Sequence, residues 1–273
     1  MTPQILSSTG AFSRDPHVAD PHLIADRMRM LDQAGYEVIF YTPWFDRVAE
    51  AAAPIRATGY PIPVVHAHKM IGPDLSTGDA DDRARARDSF TQNLDLAGLL
   101  GARTLVLHLW GTRDIEQSLP LLRPALHDLI DEAAERDVDV SVETIPVRGS
   151  TPLTVLRELT DAEPRARVTV DTEFLGLHGE FDGVAEHPWL WDGTVDHIQV
   201  KDTLGSFLDE QGRRPYLHPG EGTLDLAGFF ATIIERGYDG TVSLESTALT
   251  DDGDVNWARL RRSLGLLESW TGG

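Results

Sequence analysis

The feature that most constrains this chain is an alternation repeated along its length. A short β-branched run ends on a polar residue and is followed by apolar residues at helical spacing, eight times over. The runs read as strands at Gln4–Thr9, Glu37–Tyr41, Ile62–His66, Thr104–His108, Val138–Glu143, Arg167–Asp171, 196–201 and Thr241–Glu245. The first helix carries Leu23, Ile24, Met28, Leu31 and Ala34, with Gly35 as its stop. Others are marked by Val48, Ala52 and Ile55, by Phe90, Leu94, Ala97 and Leu100, and by Leu226, Phe229, Phe230, Ile233 and Ile234. Residues 70–82, rich in Gly, Asp and Ser, read as a long loop. No linker of shifted composition interrupts the series, which predicts an α/β fold, a (β/α)8 TIM barrel forming a single domain over residues 1–273. A doubly wound sheet is the runner-up, but no Gly-x-Gly-x-x-Gly follows the first strand.

Bulk composition narrows the function classes. A net charge of −20 argues against a nucleic-acid partner, because neutralising phosphates needs Lys and Arg in excess. No apolar run approaches the ~18–20 residues that span a bilayer, so no membrane partner is expected. The absence of cysteine excludes disulfides and thiolate metal sites, and it suits a cytoplasmic protein. A small-molecule substrate is expected, and a homo-oligomer is left open.

Residues 196–202, Asp-His-Ile-Gln-Val-Lys-Asp, alternate strictly. His197, Gln199 and Lys201 face one way, Ile198 and Val200 the other, so one face can pack under helices while the other lines the lumen. The last four strands place Glu143, Asp171, Gln199 and Glu245 at or near their C-terminal tips, which converge on one mouth in a parallel barrel. For any single acid, a polar cap on a buried strand explains it. For four successive strands a shared site is the better explanation. Three carboxylates gathered there repel one another, and a divalent cation removes the conflict. An all-oxygen set suits Mn²⁺ or Mg²⁺, with Co²⁺ or Zn²⁺ as alternatives.

Five segments carry a resemblance: Val-Glu143-Thr, Val-Asp171-Thr, His197-Ile-Gln199-Val-Lys201-Asp202, Pro219-Gly-Glu-Gly222 and Gly237-Tyr-Asp-Gly-Thr-Val-Ser-Leu-Glu245. With them the chain resembles the xylose-isomerase-like TIM-barrel superfamily, the sugar phosphate isomerase/epimerase group. The resemblance implies that Glu143, Asp171, Gln199 and Glu245 bind the metal. Many members carry Asp-x-x-His after the sixth strand; here that position is Phe174, with His178 four residues on. The AP endonuclease branch needs further histidines; His68 and His108 could match two, but Gln199 and Tyr216 break its set.

Of the remaining polar residues, His108 is a candidate substrate donor or base. His66 and His68 alternate, and His68, further out, is the better candidate to touch substrate. Lys201 either neutralises a substrate group or pairs with Asp202 or a neighbouring glutamate, and pairing is the stronger expectation. His197 is expected to support the ligands. Arg213 and Arg214 are candidates to clamp an anion, and Trp44 and Trp110 to wall a sugar face. Glu143 and Glu245, on opposite sides of a metal, could exchange protons with adjacent carbons of a carbonyl compound. The expected activity is a metal-dependent isomerase or epimerase of a small polyhydroxy carbonyl compound acting through an enediolate. The alternative is a lyase, a dehydratase or another eliminase, on the same scaffold. A non-catalytic or DNA-acting barrel is the third reading.

Overall fold

The computed structural model describes residues 2–14 and 18–272. Eight parallel strands close into a barrel in sequential order: β1 Gln4–Ser8, β2 Tyr36–Ile39, β3 Val64–His66, β4 Thr104–Leu107, β5 Asp139–Glu143, β6 Arg167–Asp171, β7 Val195–Val200 and β8 Thr241–Leu244. The helices are α1 Pro21–Leu31, α2 Val48–Arg56, α3 Ile71–Leu75, α4 Ala80–Leu100, α5 Ile115–Ala134, α6 Pro152–Ala162, α7 Thr172–Leu177, α8 Pro188–Trp191, α9 Leu226–Glu235 and α10 Trp257–Thr271. Strand β1 closes on β8 with Leu6 opposite Ser243. No helix among the described residues is long and apolar enough to cross a membrane.

The period-two pattern of the strands builds two interiors. Val38, Val140, Val142, Val168, Val170, Ile198, Val200 and Val242 are buried in the main apolar core, as outward-facing strand residues are when helices cover a parallel sheet. Leu6, Val64 and Val106 form a separate small cluster, the apolar plug of the lumen. Most other inward positions are polar and buried, among them Glu37, His66, Ser141, Glu143, Thr169, Asp171, His197, Gln199, Lys201 and Ser243. At the N-terminal end of the lumen, Ser141 and Thr104 donate to Asp196, at 2.6 Å and 3.1 Å.

Three local features differ from the sequence expectation. α1 stops at Asp32, not Gly35: Asp32 adopts the left-handed conformation (φ 56°) and its N–H reaches Met28 O. Aspartate tolerates that conformation, and Tyr60 Oη donates to its carboxylate at 2.5 Å. Gly35 serves close packing instead. The supposed loop 70–82 contains α3, and α4 begins at Ala80, where Asp79 caps Asp81 and Asp82 N–H. α3 lies so close to the tip of β4 that a side chain at Gly72 would sit 2.3 Å from His108 O.

The turn after β7 is built around Asp202. Its buried carboxylate accepts N–H bonds from Thr203 at 2.8 Å, Gly220 at 3.0 Å, Gly222 at 2.9 Å and Leu224 at 3.2 Å. A Cβ on Gly222 would meet Asp202 Oδ1 at 2.2 Å, so only glycine fits there. Glu221 of the same turn pairs with Arg259 on α10, a structural contact. Asp202→Ala should therefore strand four N–H groups, one buried and three part-buried, and cost about 3–5 kcal/mol. Thermal unfolding checks this, with a fall on the order of 10 °C expected for a chain of this size.

Candidate active site

The C-terminal mouth gathers residues from every quarter of the barrel. Glu143, at the tip of β5 and 1% exposed, accepts from His66 Nε2 at 3.1 Å and from His108 Nε2 at 2.7 Å. Both imidazoles engage Oε2, so Oε1 takes no bond from either. Burial alone would raise the Glu143 pKa, but the charges and hydrogen bonds of His108 and His66 hold it well below the usual carboxylate range. Burial likewise disfavours a charged His66. Its bond to Glu143, with the charges of Glu143, Glu245 and Glu37, outweighs that and pushes it up to about 10.

On the opposite side, the Lys201 ammonium lies 2.5 Å from Asp171 Oδ2 and also contacts Glu245 Oε2. The two carboxylates are thus close enough to share one cation. Lys201 does not pair with Asp202, which faces away into its own turn. The other oxygen of Asp171 caps α7 through Phe174 N–H at 3.1 Å. Burial, opposed by Lys201 but reinforced by Glu143, Glu245 and Glu173, pushes Asp171 up to about 8. The raised value shows that the Lys201 ammonium does not offset the burial of Asp171 and the charges of the neighbouring acids.

Gln199 is held from β2, a strand that sequence reasoning did not implicate. Its amide N–H donates to Glu37 Oε1 at 2.7 Å, and Ser243 Oγ donates to Glu37 Oε2 at 2.6 Å. Despite complete burial, Glu37 is held down at about 2 by the His197 hydrogen bond and charge, by His66 and by Ser243. His197 completes this layer through Thr241 Oγ1 at 2.7 Å. Because Glu37 takes the amide nitrogen, Gln199 Oε1 is left buried and without a hydrogen-bond partner among the described residues.

The other sequence candidates divide between two adjoining hollows. A mouth pocket of about 270 Å³ is lined by His66, His68, His108, Glu143, Lys201, Arg214 and Glu245, together with Arg14, Lys69 and Tyr216. Lys69 and Lys201 are the two lysines of the whole chain. Arg214 pairs with Glu173 at 2.6 Å and stacks over Phe174, Phe207 and Tyr216. Arg213 is exposed and pairs with Asp209 instead. Trp110 is buried, donates to Pro146 O at 3.0 Å and lines the neighbouring groove, not the mouth pocket. Trp44 is core, its indole tied to Ala19 O at 2.8 Å. His178 accepts from Val147 N–H at 3.4 Å and does not join Asp171.

Glu37 was missed, and His66 was passed over in favour of His68. The signal for Glu37 was a lone acid at an inward position of an otherwise apolar strand. It is His66, not the more exposed His68, that joins His108 on Glu143.

The donor set fits a divalent cation. Gln199 Oε1 is an orphaned buried acceptor, and Asp171 Oδ2 meets Lys201 as a bare ion pair without an aligned hydrogen bond. Both lie in one lumen with the carboxylates of Glu143 and Glu245, an oxygen-rich donor set of the kind a hard cation takes. His66, His108 and Glu143 form an adjoining set whose ligand atoms lie within 4.8 Å of one another. Its imidazoles add the nitrogen donors that transition metals favour.

Solved structures share this architecture. The 3-keto-D-glucoside 4-epimerase of E. coli superposes with a TM-score of 0.72 at 17% identity, covering 98% of this chain and 99% of that one. A D-allulose 3-epimerase from Methylomonas sp. gives 0.72 at 16% identity, covering 97% and 90%. A D-tagatose 3-epimerase-like protein gives 0.75 at 15%, covering 98% and 96%. At such identities the likeness speaks for the fold alone. A search of curated proteins finds no match. The model of one family matches residues 28–269, and with it the chain belongs to the xylose isomerase-like TIM barrel family.

Proposed function

We propose that this chain is a divalent-metal-dependent epimerase or isomerase of a small sugar or related polyhydroxy carbonyl compound, working by proton abstraction beside the carbonyl. The observation that carries this reading is the buried, partnerless Gln199 Oε1 set in one lumen with Glu143, Asp171 and Glu245. The activities of the structural neighbours named above, sugar epimerases, support the same class.

Glu143, Asp171, Gln199 and Glu245 would hold the ion, Mn²⁺ or Mg²⁺ by their oxygen donors, with Co²⁺ or Zn²⁺ favoured if His66 and His108 also contribute. When bound, such an ion polarises a carbonyl as a Lewis acid and stabilises the charge that develops on its oxygen. The proton chemistry falls to the chain. Glu143, kept ionised by His66 and His108, serves as the base on one side of the pocket. Glu245 is partly exposed and held beside Lys201, which suits it to exchange a proton on the other side. Lys201 steadies Asp171 and Glu245, and His68, His108 and Arg214 line the space where substrate hydroxyls lie. The elimination alternative draws no support from the neighbours named above.

The test is a panel of ketopentoses and ketohexoses in D₂O, followed by NMR, with metal-stripped protein and with Mn²⁺, Mg²⁺ or Co²⁺ restored. Deuterium entering beside the carbonyl, lost on chelation and regained with metal, is the expected result. No exchange with any ion defeats the reading, and loss of water from a substrate would transfer it to the lyases.

A further inference from the structure

We propose that the substrate carries an aryl-sized apolar group, seated in a groove that opens directly from the catalytic mouth. This rests on the functional reading above and narrows it to a substrate class. The groove encloses about 830 Å³ and shares Lys69, His108 and Phe174 with the mouth pocket, so a single ligand can occupy both. The mouth pocket alone, about 270 Å³, has room for one small sugar.

The walls differ sharply in chemistry. The mouth is charged, whereas the groove is lined by Trp110, Ile145, Pro146, Val147, Leu177 and Phe207. Trp110 is fixed by its bond to Pro146 O at 3.0 Å, which makes a rigid apolar wall. On the rim, Met70 and Phe207 are 45% and 44% exposed, large side chains left facing water. Phe207 is held in place: the Arg214 guanidinium lies 4.5 Å over its ring, and Arg214 is itself anchored on Glu173. Exposed apolar surface of this kind, contiguous with a polar site, is how a pocket receives the apolar part of a ligand.

Charge sets the second requirement. Among the described residues no Asp or Glu lines the groove, although acids outnumber bases 44 to 24 in the chain. The ionisable groups that do line it are Lys69, His108, Arg148 and His178. The group is therefore neutral or anionic, and an aromatic ring gains from both the flat apolar wall and the cationic rim.

The experiment is calorimetric titration of 4-nitrophenyl β-D-glucopyranoside, methyl β-D-glucopyranoside and 4-nitrophenol into wild type and Phe207→Ser, with sedimentation velocity of both proteins. Because Phe207 is exposed, its replacement leaves the core untouched. Burying one ring should make the aryl glycoside bind about tenfold or more tightly than the methyl glycoside. Phe207→Ser should erase most of that gain, read as the ratio of aryl- to methyl-glycoside affinity within each protein. Equal binding of the two glycosides, including no binding of either, overturns the proposal, as does an aryl preference indifferent to Phe207→Ser. A dimer that Phe207→Ser dissociates would assign the groove to a second copy and also overturn it. The readout is binding, so a failure of the catalytic reading, seen as no exchange at any carbon, leaves the aryl preference standing.

Discussion

Lys201→Met should lower the thermal stability of the metal-free protein, and added Mn²⁺ should restore more of it in the variant than in wild type. Lys201 is 4% exposed and its ammonium contacts both Asp171 and Glu245. Removing one partner of a buried ion pair costs about 3–5 kcal/mol, because the other partner is left desolvated and uncompensated. For a chain of this length that is a fall on the order of 10 °C. The loss should grow with pH. Asp171 already titrates near 8, far above an unfolded aspartate, so the folded state binds more protons than the unfolded state between about 4 and 8. Stability contributed by this group therefore falls as pH rises through that window. Without the ammonium, protonation can relieve the cluster at pH 6 but not at pH 9. A divalent cation bound to the same acids supplies the missing charge, and at a hundredfold excess over its Kd returns about 2.7 kcal/mol. Melting curves at the two pH values, with and without Mn²⁺, decide the matter. A penalty independent of pH and metal would show that Lys201 matters only for packing.

Glu143→Gln and Glu245→Gln should each reduce solvent-deuterium exchange by ~10²–10⁴-fold, the usual loss when a positioned base is removed. Glutamine keeps an oxygen donor and the side-chain volume, so metal content should survive. The Glu143 variant has a second readout. The bond and charge of Glu143 lead the contributions that raise His66 to about 10, so replacing it should move that imidazole toward its ordinary range. NMR titration of His66 reads this independently of turnover. If both variants keep metal and exchange at the wild-type rate, the base lies elsewhere, and His108 is the next residue to replace.

The sequence made the barrel legible because the inward–outward alternation of its strands is a local pattern. Val168 and Val170 face the helices while Thr169 and Asp171 face in, and five residues suffice to show it. The acids at the ends of β5, β6 and β8 were legible for the same reason. What was not legible depends on closure. Gln199 and Glu37 are 162 positions apart, and no local spacing announces that β7 and β2 meet across the lumen. His66 and His68 both follow the third strand's pattern, and only the geometry of the tip decides that His66 reaches Glu143. Residues 70–82 read as loop because they are rich in Gly, Asp and Ser, yet one of those glycines, Gly72, is what lets α3 dock on β4. Trp110 was placed near the mouth, but its indole bond to Pro146 turns it to the groove.

The distribution of primary amines has a practical consequence. Both lysine side chains line the mouth, so amine-directed chemistry cannot decorate this molecule at random as it does most proteins. Acylating labels, aldehyde fixation and coupling to activated resins will converge on the α-amino group and on Lys69, at the rim of the pocket. A protein immobilised through amines would then be tethered by the opening that its ligands must use. Attachment through surface carboxylates, which the chain has in abundance, leaves that opening clear.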